Sequence, residues 1–455
     1  MRKYFGTDGV RGIANEELTP TLAYKLARAG GYIISKYSHH DGQKPLAIIG
    51  TDTRISKDTL KYALMAGFTS VGIDVIDAGI VPTPAVAYLT RFFKADIGTV
   101  ISASHNPMEY NGIKFFNSQG FKLADAIEEE IEDLIEQMEN KKDIINSPTH
   151  NAIGRLVKRE NPKEAYMDFL QKIVNTDLKG LKVVLDTSNG AAYKIAPEVF
   201  KRLKATVHTI ADKPNGLNIN WDCGSTHPQN LQKAVLQQKA DIGLAYDGDS
   251  DRLIAVDEKG EIVDGDKIML ICAKHLKEQD KLKDNKLVVT VMSNLGLHIS
   301  AKQNDIDLSI TGVGDRYVLE EMLKYGYSIG GEQSGHIIFL DYNTTGDGIL
   351  SSLILSSILK QSKKKMSELA KIMDIYPQVL VNAKVDNKFK QTYMEIPEIA
   401  QKIKHIEEDM AQEGRVLIRP SGTEPLVRVM IEGKDEDKIT TMANELAQLI
   451  SEKCK

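Results

Sequence analysis

The sequence predicts three related α/β domains with mixed, mostly parallel sheets, followed by a smaller C-terminal α+β domain, set around one central cleft. Three observations predict it. The 455 residues exceed what a single hydrophobic core sustains, so three or four domains are expected. Strand and helix signals alternate as far as about Tyr376, the grammar of a sheet covered by helices. One syntax, strand then polar loop then strand, occurs three times along that stretch.

Thr19-Pro20 opens a first helix with Leu22, Leu26 and Ile33 on one face, because proline is tolerated at the first helical position. Residues 46–49 read as a buried strand ending at Gly50. Ser56 is expected to cap a second helix carrying Leu60, Leu64 and Phe68 at helical spacing. A strand at 75–76 and a helix at 84–93 follow.

The repeat then sets in. Ala95-Asp96-Ile97-Gly98 leads through a polar loop to a strand at 113–116 and a turn at Gly120. Ala240-Asp241-Ile242-Gly243 leads through 247–252 to a strand at 253–256 and a turn at Gly260. Tyr327-Ser328-Ile329-Gly330 leads through 331–335 to a strand at 336–340 and a turn near Gly346. The three loops should therefore occupy equivalent places in related domains, where loops gather beyond strand ends.

After Tyr376 the pattern becomes a strand at 379–385, a charged helix at 399–410, strands at 416–418 and 426–431, and a last helix. The expected domains are 1–155 with a serine loop, 156–258 with an acidic loop, 259–373 with a third polar loop, and 374–455. The lysine-rich residues 360–365 read as a solvated helix end near the last boundary.

With 42% hydrophobic and 27% charged residues the balance is that of a globular protein. A net charge of −5 argues against nucleic acid or an anionic membrane as partner, so an anionic substrate must be met by local Arg and Lys clusters. Cys223, Cys272 and Cys454 lie far apart and form neither a zinc spacing nor a disulfide framework, which fits a reducing cytosol. The N-terminal stretch lacks the apolar run of a signal peptide, and residues 348–359 are too few to span a bilayer. A cytoplasmic protein is expected.

Asp247-Gly248-Asp249-Ser250-Asp251-Arg252 is the strongest local signal. In an extended loop alternate side chains share a face, so three carboxylates converge and call for a cation; oxygen-only ligands favour Mg²⁺ or Ca²⁺. An EF-hand is the rival, since Glu258 falls at the twelfth position, but Arg252 stands where that loop needs glycine and strands flank it where helices are required. Mg²⁺ is preferred because it commonly joins a few carboxylates to phosphate oxygens.

Ser102-Ala103-Ser104-His105-Asn106-Pro107 presents a serine hydroxyl at a loop tip, inert unless a metal or cation activates it; the bland alternative is a capped turn. Lys114 opens the next strand, as a phosphate partner, a proton shuttle or an ordinary surface lysine. Arg419-Pro420-Ser421-Gly422-Thr423-Glu424-Pro425, with Arg428 behind it, combines guanidinium forks, hydroxyls and an open backbone suited to an oxyanion. Gly331-Glu332-Gln333-Ser334-Gly335-His336 mixes donors and acceptors that suit sugar hydroxyls. There is no Walker loop, no HExxH and no GxGxxG.

Taken with FGTDGVRG at 5–12 and GTDTRIS at 50–56, these motifs resemble, in order and over essentially the whole chain, the α-D-phosphohexomutase superfamily. The resemblance implies that Ser104 is a phosphoserine whose phosphate completes the coordination of one Mg²⁺ by Asp247, Asp249 and Asp251. It implies that Glu332 and Ser334 orient the sugar, and that Arg419, Ser421, Gly422, Thr423 and Arg428 grip the phosphate that is not reacting. Arg11, Arg54, His105, Lys114, Arg252 and His336 match cleft-lining positions. Arg11 and Arg54 are then expected to bind substrate, and His105, Lys114, Arg252 and His336 to assist Ser104, with Lys114 and His336 the candidates for general acid and base.

Gln333, residues 218–228 and residues 344–348 are similar to the glucosamine branch. The implied reaction interconverts glucosamine 6-phosphate and glucosamine 1-phosphate through glucosamine 1,6-bisphosphate, in a monomer or homodimer whose partner is a small phosphorylated amino sugar. Mutases of glucose or mannose phosphates, a serine-nucleophile phosphatase and a non-enzymatic metal-binding protein are the alternatives. Asp186-Thr187-Ser188-Asn189-Gly190 departs from the DxANG form frequent in relatives and touches no assigned role.

Overall fold

Local chemistry starts the first helix where the sequence signals it. In the computed structural model, which describes residues 3–6, 8–37, 44–140, 145–174, 176–411, 413–421 and 424–455, the Thr19 hydroxyl accepts the Leu22 N–H at the head of helix Pro20–Lys36. The second helix, Lys57–Ser70, also starts as expected, but Ser56 does not cap it. Its backbone is already helical (φ −73°, ψ −8°), whereas a capping side chain reaches back from an extended residue. The Ser56 hydroxyl instead accepts from Asn111 Nδ2 at 2.9 Å.

Three sheets repeat one topology. The first contains β1 (Phe5–Gly6), β2 (Gly9–Ile13), β3 (Leu46–Thr51), β4 (Asp74–Ile80), β5 (Ile97–Ile101) and β6 (Tyr110–Phe116), in the order β1-β2-β6-β5-β3-β4. The second contains β7 (Lys182–Asp186), β8 (Thr206–Ile210), β9 (Ile242–Tyr246), β10 (Leu253–Asp257) and β11 (Ile262–Val263), in the order β11-β10-β9-β7-β8. The third contains β12 (Lys286–Thr290), β13 (Asp307–Thr311), β14 (Ile329–Gly331) and β15 (Ile337–Phe339), in the order β13-β12-β14-β15.

In each, two parallel pairs end in an antiparallel hairpin: β5 with β6, β9 with β10, β14 with β15. Each hairpin loop is one of the three polar loops picked out by the repeat. The central parallel strands β3, β5, β7, β9 and β12 are almost wholly buried and read as apolar runs, whereas the parallel edge strands β8 and β13 are largely half-buried or exposed. Ile97, Ile101 and Ile113 from the first sheet pack with Leu26, Leu64 and Phe68 from the helices in one buried cluster.

The chain divides into two compact units, Met1–Val291 with Asp307–Lys371, and Met292–Ile306 with Ile372–Lys455. The second unit holds an antiparallel sheet of β16 (Gln378–Lys384), β17 (Gly414–Pro420) and β18 (Leu426–Gly433), in the order β16-β18-β17. Helices Pro397–Met410 and Glu436–Lys453 bury Ile399, Ile406, Leu446 and Ile450 against it. Helix Leu295–Gln303 travels with this unit, although it follows β12 of the third sheet. A buried clamp accounts for that: Asn294 Nδ2 donates to Glu432 Oε1 at 3.2 Å and to Tyr376 O at 2.9 Å, and Arg415 donates to Ser293 O at 2.8 Å.

Among the described residues no helix is long and apolar enough to cross a membrane. The apolar helix Gly348–Ser362 is a core element instead, burying Ile349, Leu350, Leu353 and Leu355.

Gly335 closes the third hairpin loop at φ +93°, and a Cβ there would stand 2.1 Å from the Leu253 carbonyl oxygen. Gly335→Ala is expected to cost about 1–3 kcal/mol of stability, from a left-handed backbone and a backbone clash together, read as a lower melting temperature. An unchanged melt would show that the loop relaxes freely.

Candidate active site

Ser104 sits beyond the end of β5 with φ +51°, a conformation few non-glycine residues adopt. A buried scaffold holds it there. The Ser104 N–H donates to Ser102 Oγ at 3.0 Å, and Ser102 Oγ donates to Asp52 Oδ2 at 2.6 Å. Asp52 in turn receives Arg54 Nε at 2.9 Å. The rest of the Arg54 guanidinium donates to the carbonyls of Ser104 (3.0 Å), Asn106 (2.8 Å) and Pro107. Asn220 Nδ2 adds bonds to the Ser104 and Asn106 carbonyls at 2.9 and 3.1 Å. Burial pushes the Asp52 carboxyl up from its ordinary pKa, with Arg54 opposing. Arg54, expected to meet substrate, is 0% exposed and spends its donors on the loop itself. It positions the serine.

The acidic loop between β9 and β10 meets this serine directly. Ser104 Oγ donates to Asp247 Oδ2 at 2.5 Å. Gly248 permits the approach, since a Cβ there would stand 2.6 Å from the Ser104 carbonyl oxygen. Asp247, Asp249 and Asp251 are all buried, each offering one carboxylate oxygen within 4.8 Å of the others. Burial, then the charges of Asp251 and Asp249, raise Asp247 well above the usual carboxylate range. Burial also opposes charge on Asp251, but His336, Lys114 and Arg252 outweigh it and hold that carboxyl low.

Asp249 Oδ1 and Asp251 Oδ1 are buried without a hydrogen-bond partner. A compact, all-oxygen donor set with orphaned oxygens fits a hard divalent cation. Glu258, the twelfth-position carboxylate of the rejected EF-hand, is engaged elsewhere, accepting from the Ser367 N–H at 3.0 Å and hydroxyl at 2.5 Å.

Cations and hydroxyls balance the rim. Lys114 Nζ lies 3.0 Å from Asp249 Oδ2 and 2.9 Å from Asp8 Oδ2. Burial disfavours its charge, yet Asp249, Asp8 and Asp251 keep its pKa above that of free lysine. Thr83 Oγ1 donates to Asp249 Oδ2 at 2.6 Å. Arg252 Nε lies 3.9 Å from Asp251 Oδ1, and His105 Nδ1 lies 3.4 Å from Ser104 Oγ. Burial, Arg252 and Arg11 lower the His105 pKa.

The third loop joins the end of the acidic loop through backbone: the Leu253 N–H donates to Gly335 O at 3.0 Å. It brings His336 Nδ1 to 3.5 Å from Asp251 Oδ2. Burial opposes protonation of this imidazole, but Asp251 and Asp315 raise its pKa overall. Glu332 is half-buried, and its Oε1 accepts the Gly314 N–H at 3.2 Å; Ser334 is exposed. Arg11 is half-buried and ion-paired with Asp8.

In the second unit, Arg419 and Arg428 face each other across β17 and β18. Like charges directly opposed in a ladder repel, and neither has a carboxylate partner among the described residues. Arg419 carries a buried nitrogen without an acceptor. Ser421 is buried beside them and accepts the Glu424 N–H at 3.2 Å. This is an arrangement that an anion would satisfy. Gly422 and Thr423 lie outside the described residues.

Comparison with known proteins identifies the family. Family models of phosphoglucomutase/phosphomannomutase match in sequence order: α/β/α domain I over residues 2–142, domain II over 164–260, domain III over 264–376 and the C-terminal domain over 380–449. The chain belongs to the phosphoglucomutase/phosphomannomutase family. It is 60% identical over 453 residues to the phosphoglucosamine mutase of Clostridioides difficile (strain 630), with 100% of each chain covered. It is 58% identical over 451 residues to that of Caldicellulosiruptor bescii, covering 99% of each. Its fold is similar to the crystal structure of a phosphoglucomutase/phosphomannomutase family protein from Burkholderia thailandensis, at TM-score 0.79 and 21% identity over 98% of this chain and 97% of that one.

Of the expected site residues, Ser104, His105, Lys114, Asp247, Asp249, Asp251, Arg252 and His336 share one constellation, with Arg11 and Glu332 tied to it through Asp8 and Gly314. The sequence reading missed Asp8, Asp52, Thr83, Ser102, Asn220 and Asp315. Asp8 and Asp52 lie inside quoted motifs, so polar residues beside a strand-end glycine were the available signal.

Arg54→Lys keeps the charge and loses the fork that spans three carbonyls. The expected outcome is faster amide hydrogen exchange at residues 102–107 with divalent-ion affinity unchanged. Unaltered exchange there would remove Arg54 from its positioning place.

Proposed function

We propose that this chain interconverts glucosamine 6-phosphate and glucosamine 1-phosphate through phospho-Ser104 and a bound glucosamine 1,6-bisphosphate. The observation that carries the reading is the 2.5 Å contact between the Ser104 hydroxyl and Asp247, inside a buried cluster of three carboxylates. The full-length likeness to phosphoglucosamine mutases supports the choice of amino sugar.

In the first transfer the bond between phosphorus and Ser104 Oγ breaks and a bond to the sugar O1 forms, while the O1 proton passes by way of a neighbouring base to Ser104 Oγ. The bisphosphate then turns end for end; the bond between phosphorus and O6 breaks as Ser104 Oγ takes the 6-phosphoryl group, and the Ser104 hydroxyl proton passes to O6. Such transfers need positioning and charge neutralisation more than covalent assistance. Mg²⁺, held by Asp247, Asp249 and Asp251 with a phosphoserine oxygen, would supply Lewis-acid stabilisation of charge at the phosphoryl group.

The chain's own residues do the remainder. Arg54, Ser102 and Asn220 fix the serine loop. The Lys114 ammonium and Arg252 supply positive charge beside the transferring group. Glu332 and Ser334 receive the sugar hydroxyls. Lys114 and His336 are the candidates to hold or move the hydroxyl proton, beside Asp249 and Asp251 respectively. Arg419, Ser421 and Arg428, with Gly422 and Thr423, would hold the distal phosphate and so fix the reacting end.

Ser104→Ala is expected to abolish formation of glucosamine 1-phosphate and to remove the phosphate mass from the peptide around residue 104, with an unchanged melt. Normal mutase turnover in that variant would end the phosphoserine mechanism. Comparing kcat/KM on the 6-phosphates of glucosamine, glucose and mannose tests the sugar. Asp249→Asn should weaken Mg²⁺ binding by about tenfold or more, since a desolvated charged partner contributes over 1.4 kcal/mol. Titration calorimetry reads this directly, and equal affinity would dismiss the cluster as the metal site.

A further inference from the structure

Lys122 is an enclosed ammonium to which the mechanism above gives no task. A turn after β6 places it: Asn117 Oδ1 accepts the Gln119 and Phe121 N–H groups, each at 3.0 Å, and the Asn117 N–H donates to Phe121 O at 2.8 Å. Thr344 Oγ1 pins the tip of that turn, donating to Gly120 O at 2.6 Å. Lys122 then pairs with Phe116 in a single antiparallel bridge.

From there its Nζ lies 2.7 Å from Asp8 Oδ1 and 2.5 Å from Asp315 Oδ2. Both carboxylates point onward to the site. The other oxygen of Asp8 takes Lys114 at 2.9 Å, and Asp8 also pairs with Arg11. Asp315 Oδ2 faces His336 Nε2 at 3.5 Å, and the neighbouring Gly314 N–H holds Glu332. One ammonium thus stands between the serine half of the site and the sugar half.

We infer that Lys122 is a positioning residue for phosphoryl transfer, whose bridge between Asp8 and Asp315 sets the places of Lys114 and His336 relative to each other. This rests on the mutase reading. A solvated ion pair would be worth little, but these side chains are about four-fifths covered, and removing one charge from an enclosed set leaves its partners to find new ones. Without the ammonium, Asp315 loses the charge that faces it from the turn and is left beside His336, and Asp8 turns fully to Lys114 and Arg11. Lys114 and His336 would then shift by fractions of an ångström, which is costly for a reaction that depends on alignment.

Lys122→Met keeps the apolar stem and removes the charge. The expected result is a kcat lower by about tenfold or more, with KM for glucosamine 6-phosphate within about threefold and Mg²⁺ affinity unchanged. Lys122→Cys, treated with bromoethylamine, rebuilds an ammonium of nearly the same reach. Lys122 lines a cavity of about 640 Å³ through which reagent can enter, and Cys223, Cys272 and Cys454 are buried. Aminoethylation should restore most of the lost kcat, and wild-type protein treated alike should not change.

Asp315→Asn, which removes only a charge, should show the same loss of kcat at steady KM, and serves if Lys122→Met folds poorly. A Met variant with wild-type kcat, or a loss that aminoethylation leaves in place, overturns the inference. Wild-type protein without turnover would instead sink the mutase reading and this inference with it.

Discussion

Three carboxylates forced together out of water are the constraint around which the first unit is organised. Asp247, Asp249 and Asp251 cannot all be ionised and buried without compensation, because desolvation and mutual repulsion act in the same direction. The protein answers with Lys114, Arg252 and His336 at the edges, Thr83 and Ser104 as hydroxyl donors, and a set of carboxylate oxygens that suits a hard cation. Every loop that reaches the cluster brings either a charge to balance it or a donor to satisfy it.

Bringing those groups together is a backbone problem first. The loops follow β5, β9 and β14, the equivalent strands of three sheets with one topology, so each arrives at a strand end as a hairpin connection. They then touch through main chain, Gly248 against Ser104 and Gly335 against Leu253, with no space for a Cβ at either contact. Repetition of a fold gives three similar loops, and their side chains make each one different: a hydroxyl, a carboxylate triplet, and a carboxylate with an imidazole. Positive φ at both Ser104 and Ser250 marks the two loops as held by their surroundings rather than by local preference.

The supporting residues are as informative as the reactive ones. Arg54 was expected at substrate because the resemblance matches it to a cleft-lining position, yet its donors are consumed by the carbonyls of the serine loop and by Asp52. In the second unit the opposite holds. Arg419 and Arg428 are opposed across a ladder with no carboxylate partner among the described residues, an arrangement whose charge an anion would balance. Burial and partners separate the two cases, and neither is visible in a string of letters.

What the sequence by itself determined is considerable. Period-two and period-3.6 patterns, proline and glycine punctuation and a threefold syntax were enough for the α/β character and the helix starting at Pro20, and motif identity singled out the serine and the acidic triplet that the fold brings together. These are local properties, written in neighbouring residues. The tertiary structure alone decided what depends on contacts between distant segments: that Ser56 serves Asn111 rather than its helix, that helix Leu295–Gln303 travels with the C-terminal sheet, and that Asp8, Lys122 and Asp315 form one chain of charge. Such pairings join residues up to 193 positions apart, and their energies come from burial, which no local pattern records.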